Sequence, residues 1–178
     1  MTSTKRIDPP LAATEAETLV AFLEYHRETL RMKTEGLDQE QLAQPLAPST
    51  MTLGGLLKHL ALVEDDWFSV VLMGNDDGEP WQSVDWDGDP DWEWRTAADD
   101  SPEELMALFD DAVEASNRII QEVLAEDGLD RLSARESRRL DEEKFSLRWI
   151  IVHMIEEYAR HNGHADLLRE AIDGTTGE

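Results

Sequence analysis

Near the C-terminus, four residues able to bind a metal or move a proton recur at helical steps: His153, Glu157, His161 and His164. Around them Leu147, Ile150, Met154, Ala165 and Leu168 mark one apolar stripe at three- and four-residue intervals. Glu157 and His161 fall on the line joining Met154 to Ala165, one turn apart on one helix face. A bare carboxylate on a buried face is costly unless it is paired or coordinates a metal. His153 and His161 are separated by about 12 Å along the axis, too far to share an ion through bonds of about 2 Å. The workable pairs are therefore His153/Glu157, Glu157/His161 and His161/His164, and a third ligand must come from another helix. His59 is the best candidate, because it lies beside an apolar stripe, one turn from both Leu56 and Val63. Two His and one carboxylate suit a catalytic zinc with an open position, or an open non-haem iron site. The Glu-to-His spacing alone carries little weight, since solvated helix faces hold many such pairs.

Four helices are needed to place these residues. Thr14 followed by Glu17 reads as a capping box, and Leu19, Phe22, Leu23, His26 and Leu30 continue a first stripe to Gly36. His26, on that apolar side, is read as a packing or hydrogen-bonding residue. Leu37 to Leu42 makes one short turn, closed by Pro45 and Pro48. Thr52 caps a second helix running to Gly74, with Leu53, Leu56, Leu57, Leu60, Val63, Trp67 and Val71 as its core face. Ser101-Pro102-Glu103-Glu104 starts a third, which Leu105, Leu108, Ala112, Ala115, Ile119 and Val123 carry to Gly128. Ser146 caps the last helix, which ends at Gly174. The polar stretch from Leu129 to Lys144, with Arg131, Arg135, Arg138 and Arg139, reads as a solvated connection. No strand pattern and no fixed-period repeat is apparent.

Residues 75 to about 100 form a long connection rich in Asp, Gly and Trp. A loop of this length inside a domain is usually functional or disordered, and its four Trp argue against disorder. Its acidic alternation from Asp85 to Asp91 imitates a calcium loop, but Pro90 stands where the obligatory Gly belongs and Thr96 at the twelfth position. The expected role is a Trp-rich cap or lid over the site.

The chain has 178 residues and is 40% hydrophobic with six Trp, enough for one domain with its own core. We expect a leader over residues 1–12, a helical domain over 13–174 and a frayed tail over 175–178. The absence of Cys excludes disulfides and a cysteine nucleophile, so any thiol chemistry needs a thiol from outside. A net charge of -24 repels phosphate backbones and anionic membranes, so neither nucleic acid nor a membrane is an expected partner. With no apolar run of signal-peptide type and none long enough to cross a bilayer, the expected location is the cytoplasm, as a monomer or homodimer.

The run Thr52-Leu-Gly-Gly-Leu-Leu-Lys-His59-Leu-Ala-Leu-Val-Glu64-Asp-Asp-Trp67 resembles the second helix of the DinB-like metal-binding four-helix family. Trp149-Ile-Ile-Val-His153 through Glu157, His161, His164 and Asp166 to Gly174 resembles its last helix, in the branch related to mycothiol-dependent transferases and maleylpyruvate isomerase. Trp92-Glu-Trp-Arg95 is a looser match to the same branch. The resemblance implies an all-α, up-down-down-up four-helix bundle, with a long Trp-rich loop between helices 2 and 3. It also implies one divalent ion, zinc first and nickel or iron as alternatives, held by His59, Glu157 and His161. Many members use three His; Glu157 replaces the first His of the last-helix pair, a departure that maleylpyruvate isomerase shares. His153 would then be a neighbour orienting Glu157, and His164 a residue of the rim.

The function expected on this basis is a metal-dependent thiol S-transferase, activating a low-molecular-weight thiol such as mycothiol to attack a small electrophile. Arg95 would hold an anionic group of either substrate and Trp67 would line the pocket. The alternatives are a mycothiol-dependent maleylpyruvate isomerase-like enzyme, or a non-catalytic metal-binding stress protein, because fold alone confers no activity.

Overall fold

The computed structural model describes residues 6–137 and 143–177. They are mostly helical, with one two-stranded sheet. The helices are α1 (Glu15–Thr34), α2 (Gln39–Leu42), α3 (Leu53–Glu64), α4 (Trp92–Thr96), α5 (Pro102–Glu126) and α6 (Leu147–Asp173). The strands β1 (Leu132–Glu136) and β2 (Lys144–Ser146) lie between α5 and α6. No helix among the described residues is long and apolar enough to cross a membrane.

The helix starts are set by the residues that predicted them. Thr14 and Ser101 each close a reciprocal capping box, with Glu17 and Glu104, and Pro102 stands at the first position of α5. Thr52 and Ser146 accept the backbone N–H of Gly55 and Trp149. Gly174, at φ 79°, takes the left-handed conformation that stops α6.

The long helices meet along their lengths. Glu15, His26 and Lys33 of α1 meet Arg148, Asn162 and Arg169 of α6 in that order, so these two run in one direction. Gly54 and Glu64 of α3 meet Leu105 and Ser116 of α5, again in one direction. His59 and Trp67 meet His161 and His153, so α3 runs against α6. The core comprises Leu23 and Leu30; Leu53, Leu56, Leu57 and Leu60; Leu105 and Phe109; and Ile150, Met154 and Leu168.

Two expected core faces shift. Beyond Glu64 the chain continues not as α-helix but as a wider π-helical stretch, Asp65–Leu72. Along it Phe68, Val70 and Leu72 are buried, whereas Trp67 and Val71, and Val63 just before it, are only half-buried. On α1, Phe22 is exposed and Arg27, not an apolar residue, fills the turn between Leu23 and Leu30.

The sheet was not expected. Leu132 pairs with Ser146 and Glu136 with Lys144, antiparallel and with an irregularity between them. The ribbon has no alternating apolar face to announce it, since only Ser133 in β1 is buried. That hydroxyl donates to the carbonyl of Arg135 at 2.6 Å and accepts the N–H of Phe145 at 3.0 Å. Arg131 pairs with Asp127, while Arg138 and Arg139 lie outside the described residues. The Trp-rich connection is not a bare loop either: it contains a 3₁₀ turn, Trp81–Ser83, and the short helix α4.

Candidate metal centre

His59 projects from α3, and Glu157 and His161 project one turn apart from α6. Because α3 and α6 run against each other, the three side chains face one point. One ligand atom from each lies within 4.8 Å of the others. His161 Nε2 is 3.1 Å from Glu157 Oε1, and His59 Nε2 is 3.6 Å from the same oxygen. The two imidazole rings are 5.1 Å apart at their centroids. His161 is buried, whereas Glu157 and His59 keep one side toward solvent.

The charges of these groups are tightly linked. Hydrogen bonds from His161, and then from His59, hold the Glu157 carboxyl far below the usual carboxylate range, against the opposing effect of burial. Burial acts against the charged form of His59, but its hydrogen bonds to Glu157 and Glu93 outweigh this and raise its pKa.

The donor set fits a divalent cation. His59 Nδ1 lies 3.1 Å from the Glu93 carboxylate, which can only accept, so this nitrogen carries the proton. In neutral His59 the lone pair on Nε2 then faces the Glu157 carboxylate. Two electron-rich atoms so placed repel unless a proton or a cation stands between them. His161 Nδ1 is buried without a partner, which leaves Nε2 as the atom presented to the centre. Two imidazole nitrogens and one carboxylate oxygen are ligands that zinc accepts while keeping an open position.

The remaining expected residues fall elsewhere. His153 clusters with the rings of Trp67 and Trp149, and its Nδ1 lies 3.5 Å from Glu156 rather than reaching Glu157. His164 lies 5.6 Å from the His161 ring, and its Nδ1 is buried without a partner. Trp67 packs against Phe145 as well as against His153 and Trp149. The Arg95 side chain is 60% exposed and hydrogen-bonded to Asp89. His26 contacts Asn162, as a hydrogen-bonding residue of the α1–α6 seam.

Glu93 was not anticipated. It is 4% exposed, and its Oε1 lies 3.1 Å from His59 Nδ1. The neighbouring Trp94 stacks on His59 with ring centroids 4.5 Å apart. The sequence held one signal for it, a carboxylate between two Trp in the Trp92-Glu-Trp-Arg95 segment, but its proximity to His59 depends on how the connection folds back.

A second unanticipated group lies beneath the centre. Arg27 of α1 donates to both oxygens of Glu64 on α3, each at 2.7 Å, and to Asn117 of α5 at 2.8 Å. Tyr158 of α6 donates to the same Glu64 at 2.7 Å. Arg27, Glu64 and Tyr158 are fully buried. Charged residues at core-period positions, Arg27 between Leu23 and Leu30 and Glu64 after Leu60, were the signal that could have revealed it.

A search of curated proteins finds no match to this chain. The family model described as mycothiol-S-transferase matches residues 18–174, a span that takes in α3 to α6 and all three converging side chains. The chain belongs to the mycothiol-S-transferase family.

Proposed function

We propose that this protein is a divalent-metal-dependent thiol S-transferase that joins a low-molecular-weight thiol of the mycothiol type to a small electrophile. The observation that carries this reading is the convergence of His59, Glu157 and His161 within a chain of that family. The absence of any Cys supports it, since the reacting sulfur must then come from a cosubstrate. The reading includes the topology: the pairings of α1 with α6, α3 with α5 and α3 against α6 support an up-down-down-up bundle within a single domain over residues 13–174. A cytoplasmic location accords with it.

His59, Glu157 and His161 would hold the ion, with zinc the first choice for this donor set. When bound, the ion would act as a Lewis acid and lower the pKa of a thiol at its open position. In the transfer a sulfur–carbon bond forms, the bond from carbon to the leaving group breaks, and the thiol proton goes to solvent. Glu157 lowers the positive charge of the centre by one relative to a three-histidine site, which keeps the sulfur more nucleophilic. Trp94 shields one face of His59 from water. Arg95 is assigned to an anionic group of either substrate, in exchange for Asp89, and Trp67 to the wall beside His153.

The test is turnover of mycothiol with a chromogenic electrophile by zinc-loaded protein and by His59→Ala. Loss of more than about 100-fold is expected, beyond the effect usual for an outer partner of a metal ligand. Zinc-independent turnover would remove the metal from the reaction, and no turnover with any small thiol would leave a metal-binding protein without this activity. Maleylpyruvate isomerisation, followed by absorbance in the same preparation, would move the assignment to the isomerase relatives.

A further inference from the structure

We infer that α4 is the positioning element of the metal centre and that Glu93 is the residue that fixes His59. The inference rests on the metal-centre reading above and names a residue outside its ligand set.

Glu93 is an expensive residue to place where it is. Its Oε1 meets His59 Nδ1 at 3.1 Å, while its Oε2 is buried with no hydrogen-bond partner among the described residues. A buried carboxylate with one oxygen unsatisfied costs stability, and the hydrogen bond that it does make is to the imidazole. In neutral His59 that contact fixes the tautomer: the proton is held on Nδ1, and the lone pair of Nε2 faces Glu157 and His161. It also fixes the ring's rotation, because Trp94 stacks on its face at 4.5 Å with planes 26° apart.

The short helix is itself anchored. Lys58, buried and adjacent to His59, donates to Thr96 at 2.9 Å and to Asp100 at 2.5 Å, and its ammonium lies 4.4 Å over the Trp92 ring. Gly55, one turn before His59, is packed so closely that a Cβ there would stand 2.7 Å from the Trp94 ring. One side of α4 is thus bound to Lys58 while the other presents Glu93 and Trp94 to His59. Partners of this kind on metal-ligating imidazoles contribute roughly 10–100-fold to metal affinity.

The experiment measures zinc affinity by competition with a chromophoric chelator, and the protonation of His59 by long-range proton–nitrogen NMR, in the full chain. Glu93→Ala is expected to weaken zinc binding by about 10–100-fold and to release the Nδ1 proton to a mixture of tautomers. Glu93→Gln, which keeps an acceptor for Nδ1–H, should recover most of the affinity; a structural role alone would not separate these two variants by tautomer. Should Glu93→Ala fail to fold, Gly55→Ala displaces Trp94 without touching charge and should weaken zinc binding in the same direction. Wild-type affinity and wild-type tautomer in Glu93→Ala would overturn the role of Glu93, and wild-type affinity in Gly55→Ala would overturn that of α4. His59→Ala tells the two readings apart. If it loses zinc while Glu93→Ala does not, only the role of Glu93 fails. If it retains zinc, the ligand set is wrong, and the tautomer measurement still decides whether Glu93 orients His59.

Discussion

At the scale of single residues, the centre sorts its histidines by what each nitrogen can reach. His161 and His59 turn a nitrogen toward Glu157, whereas His153 packs beside Trp67 and Trp149 and faces Glu156. Glu157→Ala is therefore expected to lower the zinc content of purified protein severely, and His153→Ala to leave it near the wild-type level. Elemental analysis of both variants checks this, and equal losses would mean that the wrong carboxylate–imidazole pair had been chosen. Glu157 and His161 were legible in the sequence because both sit at core spacing on one helix, where a polar residue needs a reason. His59 was legible only as a lone histidine beside a stripe. Glu93 was not legible, because 34 residues and a folded connection separate it from the ring it touches. No periodicity spans such a distance.

At the scale of elements, the helix ends could be read residue by residue, since Thr14, Thr52, Ser101, Ser146 and Gly174 act locally. The π-helical stretch could not, because the apolar spacing of Asp65–Leu72 reads as a plain continuation of the α-helix before it. The β1–β2 ribbon escaped notice for a similar reason: its hold is backbone pairing plus the Ser133 hydroxyl. The end of α6 offers a pH test. A carboxylate near a helix C-terminus is ordinarily unfavourable, but hydrogen bonds from Arg169, and then from Thr175, lower the pKa of Asp173 from 3.8 to about 2. A carboxyl whose pKa falls on folding adds stability above its unfolded value, and loses it as pH falls toward the folded one. The difference in Tm between wild type and Asp173→Asn should therefore be open at pH 7 and close between about pH 4 and pH 2. A gap independent of pH would show that the Arg169 contact contributes nothing through charge.

At the scale of the whole molecule, Glu64 joins more of the structure than any ligand does. Through Arg27, Asn117 and Tyr158 its carboxylate ties α3 to α1, α5 and α6. The pull of Glu64 on Arg27 outweighs the cost of burying the guanidinium and keeps it charged. Removing one partner from such a buried pair typically costs about 3–5 kcal/mol, so Glu64→Ala should lower the unfolding free energy by that order in urea titrations. A loss below about 1 kcal/mol, the range of exposed ion pairs, would show that the network does not hold the helices together. Tyr158 follows Glu157 directly, and Glu64 lies five residues beyond His59. The helices that carry His59 and Glu157 are thus joined by a buried charge pair that no chelator can extract. Metal exchange at the proposed site would then be a local event at three side chains, with the order in which ion and thiol arrive set by their supply rather than by refolding of the chain.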